Sequence, residues 1–156
     1  MNAVLFMVAL LGLIPGVEDL SKTGMVANEH QKPILLYVSR SDCTFCRRFE
    51  KEQLGPLLNS GLYQDKIIFR ELVWDTQGAI INFRGERVSR STFAQSWNAK
   101  LTPTLLFLNG LGNEIVPGIR GYNANDYFGY YLEAALKKAI TRAQSLPVLQ
   151  HSEKGN

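Results

Sequence analysis

The only two cysteines of this chain, Cys43 and Cys46, enclose Thr44-Phe45 and form a CxxC motif. The motif follows an apolar run over residues 33–38 and opens a stretch, residues 44–58, whose apolar positions recur at helical spacing. This placement constrains fold and chemistry together. A helix N-terminus leaves backbone N–H groups free, and its dipole favours a thiolate over a thiol. The motif therefore predicts a strand that leads into a helix carrying a reactive thiol.

Three interpretations of the thiol pair are open at this point. A redox pair could pass between dithiol and disulfide with little change of fold. A metal site needs more ligands than two thiolates, and neither His30 nor His151 has a suitable spacing to the motif. A purely structural disulfide would close so short a loop that the entropic stabilisation is small. The sequence favours the redox pair and predicts no metal.

Length and composition indicate one ordinary globular domain. The chain has 156 residues, of which 46% are hydrophobic and 20% charged, enough to build a real core. Its formal charge of +3 comes from scattered lysines and arginines, so we expect no nucleic-acid binding. Two cysteines are too few for a disulfide framework.

The N-terminus has its own character. Residues 4–14 are apolar apart from Gly12, and Pro15-Gly16 interrupts the run. A helix that spans a bilayer needs about 20 apolar residues, so this run has the length of a secretory signal instead. It lacks a preceding Lys or Arg and a good cleavage site, and a short buried segment is the alternative. We expect residues 1–17 to be a signal peptide or N-terminal anchor, and the protein to be periplasmic or otherwise exported.

The rest of the chain predicts a mixed α/β domain. We expect a linker or short irregular helix over 18–32, the domain over 33–143 and a flexible tail over 144–156. The predicted elements are a strand at 33–39, a helix at 44–58 loosened by Pro56, a strand at 67–73, a loop at 75–90, a short helix capped by Ser89 or Ser91, a strand at 105–108, a turn at Asn109-Gly110, a strand at 114–117 ended by Pro117-Gly118, and a last helix capped by Asn123 or Asn125. The first strands should pair in parallel and the last two as an antiparallel hairpin.

At this point the chain resembles the thioredoxin superfamily over about residues 33–143. The resemblance rests on the CxxC after a strand, on Thr102-Pro103-Thr104 directly before a strand, and on the closing hairpin with Gly121 before a final helix. It implies an α/β thioredoxin fold: a mixed central sheet of four to five strands with helices on both faces. It also implies a cis peptide bond before Pro103.

Within the superfamily the chain looks most like exported proteins of the SoxW type and the C-terminal domain of DsbD. Those proteins carry a basic residue directly after the CxxC and an acidic residue further along the helix, the places of Arg47 and Glu50 here. The chain departs from cytosolic thioredoxins in two respects. Asp42 replaces their Trp, and Tyr37 replaces the buried Asp that accepts a proton.

The resemblance also implies roles for the candidate site residues. Cys43 is the nucleophile and the more exposed cysteine, and Cys46 is the more buried resolving thiol. Glu50, four residues beyond Cys46, is the candidate base, and a solvated helix residue is the alternative. Thr102 and Pro103 are expected to bind the substrate backbone, with the Thr102 hydroxyl near the resolving cysteine.

These expectations converge on an enzyme, a thiol-disulfide oxidoreductase that reduces disulfides of exported proteins through a redox disulfide of Cys43 and Cys46. A thiol oxidase, a disulfide isomerase and a non-catalytic binding domain are the alternatives. An isomerase usually has a dimerisation region, and no segment before Pro33 is long enough; a strong oxidant usually has a helical insertion, and residues 75–98 are short for one. The expected partners are disulfide-bearing proteins and a membrane thiol reductase as electron donor. We expect a monomer with no cofactor.

Overall fold

The computed structural model describes residues 14–125 and 127–147. Its helices and strands form a mixed α/β domain that contains the predicted elements, together with a regular helix and a hairpin that the sequence does not predict. The elements are α1 (Leu20–Glu29), β1 (Ile34–Ser39), α2 (Thr44–Phe49), a π-helical turn (Glu50–Leu54), α3 (Gly55–Asn59), β2 (Ile68–Val73), β3 (Ala79–Ile81), β4 (Arg87–Ser89), α4 (Arg90–Ser96), β5 (Thr104–Leu108), β6 (Glu114–Arg120) and α5 (Phe128–Ser145).

The central sheet has the strand order β2-β1-β5-β6 in the described part of the chain. β1 pairs in parallel with β2 and antiparallel with β5, and β5 pairs antiparallel with β6. All residues of β1 and β5 are buried, as a strand covered on both faces should be. The predicted parallel pair, the closing hairpin and the four-stranded mixed sheet are confirmed.

Each face of the sheet carries its own hydrophobic cluster, because successive side chains of a strand point to opposite faces. One cluster joins Leu35 and Tyr37 of β1 to α2, the π-helical turn and α5. The other joins Leu36 and Val38 of β1 to α1 and α4. Helices therefore cover both faces, and the CxxC motif belongs to the first cluster.

The helix after the motif is continuous from Thr44 to Asn59 but changes its hydrogen-bond pattern midway. The N–H of Gly55 donates to the carbonyl of Glu50, five residues back, in the π-helical turn. Pro56, which follows in the first turn of α3, has no N–H to donate to the preceding turn, so the α-helical hydrogen-bond pattern is interrupted before α3 resumes it. The predicted loosening at Pro56 is confirmed, and it begins as early as Glu50.

The linker or short irregular helix expected over residues 18–32 contains a regular helix, α1. Asp19 caps it by accepting the N–H of Lys22 at 3.0 Å, and Leu20 and Ala27 are fully buried against the sheet. The polar composition hid this helix, because only a narrow stripe of it faces the core. The fold therefore begins before residue 33.

The loop expected over residues 75–90 contains an antiparallel hairpin, β3 with β4. Its turn is held by Asn82, whose Oδ1 accepts the N–H groups of Arg84 and Glu86 at 2.9 and 3.0 Å. Ile80 anchors the hairpin in the core. Strands of three residues are too short to produce a readable alternation, which is why the sequence predicts a loop here.

Two boundaries near the C-terminus also differ from the prediction. β6 continues through Pro117 to Arg120, because an edge strand tolerates a residue without an N–H. The last helix has no side-chain cap, and Asn125 Oδ1 accepts the N–H of Tyr127 at 3.2 Å just before it. The cap of α4 is Ser89, one of the two predicted candidates.

The predicted terminal segments lie partly outside the described residues. Residues 1–13 of the expected signal or anchor are outside, whereas Ile14 and Val17 are buried parts of the fold. Of the expected tail, residues 148–156 are outside, and α5 continues through Ser145. No helix in the described ranges is long and apolar enough to cross a membrane.

Candidate active site

Cys43 and Cys46 form a disulfide at the end of the loop that follows β1. Cys43 is the N-cap of α2, and its Sγ accepts the N–H of Cys46 at 3.1 Å. The same contact would stabilise a thiolate on Cys43 in the reduced protein. The two residues are 4% and 2% exposed, so Cys43 is the more exposed one by a small margin only.

The loop in front of the disulfide is fixed to the neighbouring strand. Asp75, just after β2, accepts the backbone N–H of Ser41 at 2.8 Å and its hydroxyl at 2.5 Å. These bonds hold the pKa of the Asp75 carboxyl below its usual range, with a smaller contribution from the charge of Arg40. Asp75 therefore stays ionised and keeps the approach to Cys43 in one position.

Thr102 and Pro103 lie beside the disulfide, although Thr102 is fifty-nine residues beyond Cys43 in the chain. The peptide bond between them is cis, and the carbonyl of Pro103 accepts the N–H of Gly121 at 2.7 Å. The Thr102 hydroxyl is 3.2 Å from the Sγ of Cys43. The sequence analysis expected it near the other cysteine, Cys46, whereas the hydrogen bond that the structure shows is to Cys43. The hydroxyl is placed to donate to the Cys43 sulfur.

Two exposed apolar side chains flank the disulfide, and the sequence analysis gave neither of them a role. Phe45, inside the motif, is 56% exposed, and Leu101, the residue before Thr102, is 64% exposed. Their positions within the motif and directly before the cis bond were the available signal. Apolar groups exposed beside a reactive centre suit contact with an extended, partly unfolded polypeptide.

Glu50 lies half-buried beneath the motif and accepts a hydrogen bond from the Tyr37 hydroxyl at 2.8 Å. Tyr37 is fully buried, and its ring packs on Phe49 with centroids 5.4 Å apart. Burial raises the pKa of Tyr37 far above its usual range, and the bond to Glu50 adds to this effect. Tyr37 is thus a permanent donor to the Glu50 carboxyl. Tyr37 occupies the place of the buried Asp of cytosolic thioredoxins, so the carboxyl group on this face comes from Glu50 of the helix and not from β1.

A second carboxyl group, which the sequence analysis missed, lies on the same face. Glu71 of β2 is half-buried and accepts a hydrogen bond from the Ser39 hydroxyl at 2.5 Å. Burial raises the pKa of Glu71, the bond from Ser39 opposes this effect, and the charge of Glu50 adds to it. A lone acidic residue in the middle of a strand was the available signal.

The remaining charges near the motif are engaged along the helix surface. Arg47 contacts the hydroxyl of Thr44, and Arg48 pairs with Glu52 at 3.3 Å. In the described ranges, no group of three or more His, Cys, Asp and Glu side chains is arranged to hold a metal ion. The assembled geometry is a buried sulfur pair with a hydroxyl on one sulfur and carboxyl groups below.

Comparisons with known proteins agree with this geometry. The family profile described as a thioredoxin-like domain matches residues 21–136. The structure resembles that of DsbH oxidoreductase, with a TM-score of 0.56 and 16% identity over 80% of this chain and 85% of that one. It also resembles Fasciola hepatica thioredoxin, with a TM-score of 0.55 and 16% identity over 81% and 99%. For oxidised thioredoxin O2 from Arabidopsis thaliana the TM-score is 0.52 and the identity 16%, over 80% of this chain and 92% of that one. No curated protein matches the chain. Identities this low show a shared fold.

Proposed function

The chain belongs to the thioredoxin-like domain family, and from this membership we propose that it reduces disulfides of exported proteins. Its fold and its Cys43–Cys46 disulfide make it a thiol-disulfide oxidoreductase. The observation that carries the proposal is the position of that disulfide, at a helix start with the Thr102 hydroxyl on the Cys43 sulfur.

The proposed reaction starts from the dithiol form. The Cys43 thiolate attacks one sulfur of a substrate disulfide, the substrate S–S bond breaks, and a mixed disulfide forms. Cys46 then gives its proton to Glu50 and attacks the Cys43 sulfur. The two substrate sulfurs leave as thiolates with the two electrons and are then protonated, one by the proton that Glu50 took up and the other by solvent. Cys43 and Cys46 end as the disulfide seen in the structure.

Two features support the finer parts of the proposal. Arg47 and Glu50 fit the pattern of SoxW-type proteins and of the DsbD C-terminal domain, which we propose as the nearest subfamily. The segment over residues 75–98 forms a short hairpin and α4, with no long helical insertion of the kind expected in a strong oxidant.

The cellular setting is also part of the proposal. The apolar residues 4–14 have the length of a secretory signal and support an exported location, with the segment cleaved or kept as an anchor. A reductase outside the cytoplasm needs electrons, so we propose a membrane thiol reductase as its donor. One chain supplies Cys43, Cys46, Glu50, Thr102 and Pro103, which supports action as a monomer.

Insulin reduction in the presence of dithiothreitol tests the function. We expect the native chain to accelerate insulin precipitation, Cys43→Ser to abolish this activity, and Cys46→Ser to accumulate a mixed disulfide detectable by mass spectrometry. Activity that survived the Cys43→Ser change would contradict the proposal. Fractionation of cells that produce the full chain tests the exported location.

A further inference from the structure

The face of the sheet that carries the disulfide cluster also carries the Glu71 carboxyl, which has no role in the reaction proposed above. Tyr37 and Ser39 of β1 point to this face with Leu35, which belongs to the cluster that contains both cysteines. Glu71 is the register partner of Tyr37 on the adjacent parallel strand, so the two side chains emerge next to each other on that face.

Glu71 is held from several directions. Its Oε1 accepts the Ser39 hydroxyl at 2.5 Å. Its backbone N–H donates to the carbonyl of Pro15 at 2.9 Å, and its carbonyl accepts the N–H of Val17 at 2.8 Å. The backbone bonds fix the strand position of Glu71, and the Ser39 hydroxyl holds its carboxyl on the sheet face that Tyr37 shares.

The charged and titratable groups that act on Glu71 come from two elements. Tyr37 comes from β1, and Glu50 comes from the helix above it. The neighbouring guanidinium of Arg70 turns to the carbonyl of Phe69 at 2.8 Å. In the described part of the chain no lysine or arginine forms an ion pair with Glu71. The face therefore holds two carboxyl groups with a tyrosine hydroxyl bonded to one of them and no compensating cation.

We propose that Glu71 is a positioning residue for the thiol-disulfide exchange, acting through Tyr37 and Glu50 on the proton that leaves Cys46. The inference rests on the proposed function and deepens it. An ionised Glu71 places a second negative charge on the sheet face that carries the Tyr37–Glu50 pair, where we propose that the Cys46 proton is received. A protonated Glu71 supplies no such charge.

The chemical step remains the one already described. The Cys46 proton passes to the Glu50 carboxylate, the Cys46–Cys43 bond forms, and the bond between Cys43 and the substrate sulfur breaks. Glu71 forms and breaks no covalent bond in the redox step. In this proposal the charge of Glu71 acts on the step that removes the Cys46 proton, and therefore on how fast the mixed disulfide is resolved.

The direction of the pH effect follows from the environment of Glu71. Because burial raises its pKa, Glu71 is protonated at acid pH and ionises at a higher pH than an exposed glutamate. The rate of resolution should therefore rise as pH increases through this ionisation. The Ser39 hydroxyl lowers the pKa of Glu71, so Ser39→Ala should move the rise to higher pH. Glu71→Gln, which cannot ionise, should remove this component and leave the rise that comes from ionisation of the thiols.

The test uses the reduced full chain and oxidised glutathione, which reacts with either a reductase or an oxidase of this fold. Single-turnover samples between pH 4 and 9 are quenched with acid, and the mixed disulfide with glutathione is quantified by mass spectrometry. We expect Glu71→Gln to slow the decay of the mixed disulfide about threefold to tenfold at neutral pH. We also expect this variant to lose the part of the rise in rate with pH that comes from ionisation of Glu71. Glu52→Gln is the matched control, because Glu52 lies on the same helix but pairs with Arg48.

The outcomes separate this inference from the proposed function. A native chain that does not react with oxidised glutathione overturns both. A native chain that reacts, with a pH profile that Glu71→Gln and Ser39→Ala leave unchanged, overturns the role of Glu71 alone. A purely structural defect would slow the reaction by the same factor at every pH, which also counts against the inference. Ser39→Ala, a mild change, keeps the test informative if Glu71→Gln folds poorly.

Discussion

Glu50 and Glu52 lie two residues apart on one helix and have different surroundings. Glu52 is at the surface, where its bond from Tyr122, followed by its contact with Arg48, lowers the pKa of its carboxyl. Glu50 is half-buried and bonded to a tyrosine that does not ionise at ordinary pH. Both carboxyl groups accept a tyrosine hydroxyl, so their positions distinguish them: Glu50 lies one helical turn beyond Cys46, and it is the residue that we propose as the base.

We predict that Glu50→Gln slows resolution of the mixed disulfide by at least about tenfold. The glutamine can still accept the Tyr37 hydrogen bond but cannot take the Cys46 proton. The mixed disulfide should therefore accumulate although both cysteines are present, as measured by acid quenching and mass spectrometry. Glu52→Gln should behave like the native chain, and equal decay rates in the two variants would refute the base role.

At the scale of single residues, the sequence predicts the two cysteines well but predicts poorly which residues surround and support them. Cys43 and Cys46 stand out because a CxxC between an apolar run and a helix has few other uses. The Thr102 hydroxyl was expected near Cys46 and bonds to the Cys43 sulfur, because its position depends on how the loop before β5 packs. Glu71 comes close to Tyr37 only through strand register, which a linear reading of residues does not give.

α1 shows how close packing can depend on a residue that appears unremarkable in the sequence. Gly24 of α1 contacts Gly110 in the turn between β5 and β6. A Cβ on Gly24 would lie 2.2 Å from the Gly110 carbonyl oxygen. The helix can reach this turn only because both positions lack a side chain.

We predict that Gly24→Ala lowers the free energy of unfolding by roughly 2 kcal/mol. Alanine favours a helix over glycine by about 1 kcal/mol, but overpacking against backbone costs more. Gly16→Ala is the matched control, since a Cβ there would meet nothing closer than the Glu71 carbonyl oxygen at 4.0 Å. Denaturant unfolding curves compare the two, and equal stabilities would show that α1 can shift away from the turn.

The same elements explain which parts of the fold the sequence could predict. β1, the helix after it and the β5–β6 hairpin carry continuous apolar runs or strong turn residues, and their types were predicted correctly. α1 was predicted only as a linker or short irregular helix because its buried stripe is narrow, with Leu20, Thr23, Gly24 and Ala27 as its buried residues. The β3–β4 hairpin was predicted as a loop because its strands are only three residues long.

The whole molecule depends on a segment that the sequence analysis left outside the domain. α1 and the residues before it cover one face of the sheet, where Val17, Leu20 and Ala27 are almost fully buried. On the opposite face, the cluster that contains the disulfide is closed by the CxxC helix and α5. Removing α1 would expose the first of these clusters while leaving the CxxC motif intact.

We predict that a chain starting at residue 33 fails to unfold cooperatively, whereas a chain starting at residue 14 does so. The shorter chain loses the apolar cover of one sheet face, and each fully buried leucine contributes about 1.5–3 kcal/mol. Thermal unfolding followed by circular dichroism compares the two chains. Cooperative unfolding of the shorter chain at a similar temperature would contradict the inclusion of α1 in the domain.

The backbone bonds from Pro15 and Val17 to Glu71 also bear on solubility. β2 is an edge strand, and an open edge is a template for pairing with another copy of the chain. Residues 15–17 occupy that edge, and Pro15 itself has no N–H through which the pairing could spread. On β6, the opposite edge, Pro117 does the same. The two prolines thus act as gatekeepers against edge-to-edge aggregation, one at each end of the sheet.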